Sequence, residues 1–292
     1  MTDAESDVLI SGGGFAGLAL ALALGQAGFA VTVVDPAPAA GPAGFDGRVS
    51  SIAPDVRRML ERLGVWARIP ESQSVTDIVV SGGVVGGEAS AFFLHFEKDD
   101  GGAPPFDMVE NRFLLAALGE AVAACPSVER LTETRIETVE TAPARITVTL
   151  SGGGRRDAPL LVAAEGRDSP LRERFGIKVT GWSYDQWGIV TTVEHERPHD
   201  GVAQEYFLPS GSFAILPMTG RRASLVWTER SDLARTVMAM DEGDFAAEVA
   251  RRFTDYLGQV RPVGARSAFP LALQLARTFV APRFALIGDA AV

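Results

Sequence analysis

The chain is 292 residues long, 47% hydrophobic and 22% charged, which suits one large domain or two interwoven ones and is too apolar for a disordered chain. A formal net charge of -10 argues against a nucleic-acid partner, because phosphate binding needs a basic surface. A single cysteine, Cys125, leaves no internal disulfide and fits a reducing, cytoplasmic setting, and three scattered histidines (His95, His195, His199) point to no metal site.

The start, with Asp3, Glu5 and Asp7, lacks the positive charge of a secretory signal, and the apolar run at 15–24 is too short to span a bilayer. Residues 8–10 read as a buried strand, 15–27 as a helix ended by Gly28, and 30–34 as a second strand closing at Asp35, which together make a parallel βαβ unit. A Pro-, Ala- and Gly-rich loop follows at 36–47, then a helix at 54–63 with proline in its first turn. Residues 76–97, broken by glycine pairs at 82–83 and 86–87, read as a hairpin leaving the first domain. Asn111 suits an N-cap for a helix carrying Leu114, Leu115, Leu118 and Val122 on one face, stopped by Pro126. The thiol of Cys125, just before that stop, reads as buried and inert.

Strands are expected at 135–139 and 145–150, joined around Pro143, and a buried run at 160–164. From 178 to 270 the character is that of an antiparallel sheet, with strands at 189–193, 205–208, 213–216 and 224–227 and then a helix at 241–257. A last apolar strand at 283–287 leads into Gly288-Asp289, and the chain stops so soon afterwards that a C-terminal truncation is expected.

Gly12-Gly13-Gly14-Phe15-Ala16-Gly17 fits G-x-G-x-x-G. Gly12 allows the tight turn off the strand, Gly14 the approach of a pyrophosphate, and Gly17 the close packing of helix on strand, while the helix N-terminus offers free N–H groups to the anion. Asp35 lies 21 residues after Gly14, the spacing of an acid that binds the adenosine ribose, and it disfavours a 2′-phosphate. No second fingerprint exists: the glycine clusters at 82–87 and 152–154 lack the spacing.

Phe284-Ala285-Leu286-Ile287-Gly288-Asp289-Ala290-Ala291 resembles the late Gly-Asp motif of the FAD-dependent aromatic hydroxylases of the p-hydroxybenzoate hydroxylase fold. A third motif of that family, a strand followed by Asp-Gly and Ser-x-x-Arg, is matched by Gly166, Ser169 and Arg172, with Glu165 in place of the aspartate. Within the family, Tyr184-Asp185-Gln186-Trp187, Glu205-Tyr206-Phe207, Ala214-Ile215-Leu216-Pro217-Met218 and Ser224-Leu225-Val226-Trp227 look like the ubiquinone-biosynthesis hydroxylases.

The resemblance implies an α/β fold, with a Rossmann-like FAD-binding domain (1–75, 98–177 and 271–292) interwoven with a mostly antiparallel β-sheet substrate domain (76–97 and 178–270). It places Gly12, Gly14, Phe15, Ala16, Gly17, Asp35, Arg48, Arg112, Glu165, Gly166, Gly288 and Asp289 at FAD, with Asp289 on the ribityl hydroxyls and Arg48 facing flavin and phosphates. NAD(P)H docks transiently as reductant, O₂ reacts through a flavin hydroperoxide, and a polyprenyl phenol is hydroxylated. Tyr184, Gln186, Tyr206, Phe213, Ile215 and Leu216 are the expected substrate-pocket residues, each equally explained as sheet core, and no catalytic base is named. The resemblance, through its lipid-like substrates, also implies peripheral contact with the inner membrane face or with sister enzymes of the pathway.

If the segment that follows Gly-Asp-Ala-Ala in relatives is missing, weak FAD binding and little turnover are expected. Three other readings remain open. One is a hydroxylase of a soluble aromatic acid, for which Arg221 or Arg222 would have to bind the carboxylate. Another is a reductase or halogenase on the same scaffold, the halogenase disfavoured by a lysine content of only Lys98 and Lys178. The last is a non-catalytic FAD-binding assembly partner.

Overall fold

A computed structural model of the protein describes residues 4–39, 44–87, 90, 93–97, 105–253 and 256–292. The chain opens with β1 (Ala4–Glu5), β2 (Val8–Ser11), α1 (Phe15–Gln26) and β3 (Val31–Val34). Every residue of β2 and β3 is buried and the two strands pair in parallel, as continuous apolar runs covered on both faces should. Gly28 ends α1 at φ +93°, a conformation that any Cβ would strain.

Next come β4 (Val49–Ile52), α2 (Pro54–Arg62), β5 (Gln73–Val75), β6 (Asp77–Gly82), β7 (Phe93–Glu97), β8 (Phe106–Glu110) and α3 (Asn111–Ala123). They are followed by β9 (Val128–Leu131), β10 (Ile136–Thr141), β11 (Ile146–Leu150), β12 (Arg155–Ala158), β13 (Leu160–Ala163) and α4 (Pro170–Arg174). The last third holds β14 (Val179–His195), β15 (Val202–Leu208), β16 (Gly211–Met218), β17 (Arg222–Arg230), α5 (Ser231–Ala239), α6 (Glu242–Phe253), β18 (Val260–Ala276), β19 (Val280–Ala281) and β20 (Phe284–Leu286).

β20, β13, β2, β3 and β9 form a parallel sheet in that order, with β19 antiparallel at one edge. Leu18, Leu22, Leu114 and Leu118 of α1 and α3 pack on one face against Ile10, Val33 and Val162. On the other face Leu9 and Leu161 meet Ile146 and Val148 of the small sheet β1-β12-β11-β10. Register aligns Ser11 with Val34 and Ala163, and Ala163 with Leu286, so four carboxyl ends finish side by side. That edge is where ligands bind in open parallel sheets.

The second large sheet has the order β18-β14-β17-β16-β15-β6-β7, and a three-stranded sheet β4-β8-β5 lies beside it. Ile189, Val193, Phe213, Ile215, Leu225 and Trp227 bury one face of the large sheet against Val237 of α5 and Phe245, Val249 and Phe253 of α6. On the opposite face Leu216 and Ala203 meet Val49, Val75 and Met108 of the three-stranded sheet. The architecture is the expected α/β one, a parallel sheet interwoven with a mostly antiparallel one.

Several elements differ from expectation. The helix expected at 241–257 is α6, residues 254–255 lie outside those described, and α5 at Ser231–Ala239 precedes it as a helix not expected from the sequence. Asn111 is the first residue of α3 rather than its cap, and its Oδ1 accepts a 2.7 Å hydrogen bond from Ser50. Cys125 is half-buried rather than buried. The hairpin at 76–97 is formed by β6 and β7, and β6 also pairs in parallel with β15. Residues 40–43 of the early loop and Lys98 lie outside those described.

Candidate functional site

The site begins with the three fingerprint glycines, of which the fold itself requires two. Gly12 sits at φ +109°, and a Cβ there would overlap the Ala164 carbonyl oxygen. A Cβ on Gly17 would overlap the carbonyl oxygen of Gly12, so α1 can cross β2 this closely only without one. Gly14 is different: nothing lies within 4 Å of its built Cβ, because it faces a cavity. No side chain caps α1 and no acid occupies its first turn. Its N-terminal N–H groups and the positive end of its dipole are therefore free for an anion.

The cavity has a volume of about 610 Å³ and runs along the carboxyl ends of the parallel strands. The glycine turn, Asp35, Gly166 and Asp289 lie on its wall. Asp35 is 8% exposed; its Oδ1 accepts the Ala37 N–H at 3.0 Å, and Arg130 stands 3.8 Å from Oδ2. Asp289 is exposed on the one-turn helix Gly288–Ala290, with all of its carboxylate available to a ligand hydroxyl. A second pocket of about 180 Å³ shares Gly14 and Phe15 with the first and is lined by Arg48, Asn111, Arg112 and Leu115. The phosphate-sized helix end, the two hydroxyl-accepting carboxylates and the flanking arginines make a donor and acceptor set that fits a dinucleotide such as FAD.

Glu165, by contrast, is engaged by the protein. Ser11 Oγ donates to its Oε1 at 2.6 Å, and Ser169 Oγ and the Leu171 N–H donate to its Oε2 at 2.6 and 3.0 Å. Ser169 caps α4 by accepting the Arg172 N–H. The buried Arg172 guanidinium donates to the carbonyl oxygens of Arg167 at 2.7 Å and Ala290 at 3.1 Å. The Ser-x-x-Arg segment thus ties the turn after β13 to the Gly288–Ala290 turn after β20.

Arg48 is mostly exposed and bonded to Asp46. Burial pulls the Asp46 carboxyl upward, but the hydrogen bonds and charge of Arg48 outweigh it and hold that carboxyl below its ordinary value. Arg112 donates to Glu110 at 2.7 Å and lies over the rings of Phe45 and Phe113. Of the 221–222 pair, Arg222 is paired with Glu110 and Glu71, and the exposed Arg221 donates to the Glu196 carbonyl.

The six residues expected around a substrate do not converge. Phe213, Ile215 and Tyr206 point into the helix-side core of the large sheet, because alternation along β15 and β16 sends their neighbours to the other face. Leu216 lies on that other face. Gln186 donates to the Ser210 carbonyl, and Tyr184 is 47% exposed on the outer part of β14. Pocket residues that the sequence did not announce include Pro36, which follows Asp35, Arg174 of α4, and the segment Thr134-Arg135-Ile136, which the β3–β9 pairing brings to the cavity.

Among the described residues, no helix is long and apolar enough to cross a membrane. The FAD binding domain family matches residues 5–292. Ubiquinone hydroxylase UbiL of Rhodospirillum rubrum is 45% identical over 293 residues, covering 99% of this chain and 67% of that protein. The 3-demethoxyubiquinol 3-hydroxylase of Escherichia coli is 33% identical, covering 100% of this chain and 74% of that protein. Among solved structures, PqsL of Pseudomonas aeruginosa has a TM-score of 0.81 at 23% identity, covering 99% of this chain and 79% of that one. The p-nitrophenol 4-monooxygenase PnpA of Pseudomonas putida has a TM-score of 0.76 at 20% identity, covering 99% of this chain and 74% of that one.

Proposed function

The chain belongs to the FAD-binding hydroxylase family of ubiquinone biosynthesis, and on that footing we propose that it hydroxylates the ring of a polyprenyl phenol with NAD(P)H and O₂. The observation that carries the reading is the 610 Å³ cavity, on whose wall the glycine fingerprint, the Glu165-Gly166 turn and Gly288-Asp289 all lie. Strand register brings the three motifs to one edge of the parallel sheet, and there they line a single hollow that one ligand can span.

FAD bound there supplies the acceptance of two electrons from the nicotinamide and the activation of O₂. The protein's own part is binding, alignment and exclusion of water. The N-terminus of α1 neutralises the pyrophosphate. Asp35 would accept hydrogen bonds from the adenosine ribose hydroxyls and Asp289 from the ribityl hydroxyls. Arg48 and Arg112 line the smaller pocket that shares Gly14 and Phe15 with the cavity and would face the flavin, and Glu165 acts indirectly by holding the turn that carries Gly166. Residues 1–75, 98–177 and 271–292 serve the cofactor and 76–97 and 178–270 the substrate, with β18 running unbroken across residue 270 between the two. A substrate with a prenyl tail brings the protein to the membrane surface, as a peripheral contact.

The test is a fluorescence titration of FAD into the chain and into its Gly14→Val variant, with both melting curves recorded. Valine has room in the protein but fills the space where the pyrophosphate belongs. Binding by the parent and none by a variant of unchanged melting temperature supports the reading; equal binding by both overturns it.

A further inference from the structure

Cross-strand register turns the large sheet into a grid, and its non-helix face can be read row by row. One row runs Thr192, Ser224, Leu216, Ala203 and Ile78. It is covered by the three-stranded sheet and by the loop before Arg48: a Cβ on Gly47 would stand 3.8 Å from Thr192 Oγ1 and 3.6 Å from the Ala265 oxygen. This is therefore the face turned toward the cofactor arginines. The next row runs Val190, Val226, Ala214, Glu205 and Val80. Val190, Val226 and Glu205 are only partly buried, so this row is the open floor beside the covered one.

Glu205 is the single ionisable group in that row. Ala214 and Ser212 of β16, Ile78 and Val80 of β6, and Leu94 of β7 beyond them bring no charge to it. Val75 and Met108 cover the neighbouring row and bring none either. Arg48, Arg112 on α3 and Arg222 on β17, the arginines on this side of the sheet, are paired with Asp46 and Glu110. Among the described residues no cation pairs with Glu205. Its one polar partner is Ser212, and burial pushes its carboxyl above the ordinary value against that hydrogen bond. A half-buried carboxylate on an apolar floor costs free energy, and among the described residues its Ser212 hydrogen bond is its one return: it caps no helix and forms no ion pair.

We propose that Glu205 accepts a hydrogen bond from the hydroxyl of the phenol ring and so sets which ring carbon faces the flavin. The proposal rests on the hydroxylase reading above. An ionised acceptor beside the phenol O–H raises electron density on the oxygen and, through it, at the ortho and para carbons that an electrophilic oxygen attacks. The proton stays on the phenol oxygen, and no bond is made or broken at Glu205. The apolar remainder of the row, with Val190, Val226 and Ala214, offers the ring a flat, water-poor bed.

Calorimetric titration of the FAD-loaded chain with 2-geranylphenol and with its O-methyl ether tests the assignment, because only the phenol can donate. The parent should prefer the phenol by roughly tenfold or more, the worth of a hydrogen bond to a charged group. The preference should shrink as acid protonates the carboxyl. Glu205→Ala should lose the preference at every pH while holding the ether and FAD as the parent does. Glu205→Gln, nearly isosteric, keeps at most a weak preference that no longer varies with pH, and carries the test should the alanine variant misfold. Either variant keeping the parent's preference and pH dependence overturns the role of Glu205. A parent that binds neither ligand overturns the hydroxylase reading itself, and this assignment with it.

Discussion

At the scale of single residues, the fingerprint glycines separate into two kinds with opposite expected phenotypes. Gly17→Ala places a methyl group on the carbonyl oxygen of Gly12. Overpacking of this sort costs about 1–3 kcal/mol, so the melting temperature should fall even without ligand, and FAD affinity with it. A ligand-free melt at the parent's temperature would contradict that. Gly14 has open space around it, so Gly14→Val is expected to cost affinity and little stability, as the titration above requires. His195 makes a second residue-scale prediction. Burial pulls its imidazole below the ordinary value of 6.5, against hydrogen bonds to the backbone of Arg197 and Arg222. The unfolded chain then binds the proton more tightly than the folded one. His195 accordingly contributes stability that is present above pH 6.5 and is lost as the pH falls below it. The urea midpoint should drop between about pH 8 and pH 5.5 in the parent and drop less in His195→Gln. Equal drops in both would remove His195 as the cause.

At the scale of elements, the sequence was most legible where burial is simple. The β2–α1–β3 unit follows from two β-branched runs, an Ala- and Leu-rich helix and the glycine that ends it, and all of Val31–Val34 is buried as such a run implies. β18 was illegible for the converse reason. Its 17 residues carry Pro262, Gly264 and Pro270, which read as breaks, yet the strand survives because it lies at the sheet edge, where a missing N–H need not cost a ladder bond. The pairing with β14 slips register twice, near Ser183/Trp187 and Val190/Thr192, and no periodicity survives a slip. The same blindness hid Glu205: a charged residue in an alternating strand reads as a solvent-facing one, and only the pairing with Ala214 and Val80 reveals which face it occupies. For the same want of a face the sequence leaves Phe213 and Ile215 open between pocket and core, and the pairing assigns them to the core. The Ser-x-x-Arg segment was legible as a motif, but its purpose needed coordinates. Arg172→Met leaves the Arg167 and Ala290 carbonyl oxygens without their donor and should cost about 1–3 kcal/mol. Amide exchange at residues 288–291 should quicken and FAD affinity should fall; unchanged exchange there would mean that the tether does not hold the turn.

At the scale of the whole molecule, the two large sheets must move as one body if a ring on one is to meet a cofactor on the other. The joint is ionic and aromatic. Glu110, buried at the end of β8, accepts from Arg112 on α3 at 2.7 Å and from Arg222 on β17 at 3.0 Å, and both guanidinium groups lie over the ring of Phe45. Gly264 of β18 approaches the same ring: a Cβ there would stand 3.3 Å from Phe45 Cε1. Three elements from distant parts of the chain thus close on one carboxylate and one ring, beside the pocket that Arg48 and Arg112 line. Arg222→Met removes one of the two charges that compensate Glu110 while keeping the bulk of the side chain. Since Arg112 remains, the cost should be about 1–3 kcal/mol, below that of stripping a buried ion of its whole partner set. The informative readout is how far the effect of FAD reaches. In the parent, FAD should slow amide exchange in β2 and β13 and also in β16 and β17, because the joint carries the order of the cofactor cavity into the large sheet. In Arg222→Met the protection of β2 and β13 should persist while that of β16 and β17 shrinks toward the ligand-free level. Protection that stays equal in both sheets would mean that the apolar contact of Leu216 and Ala203 with Met108 suffices to couple them, and that the ion cluster only orients the Arg112 side chain.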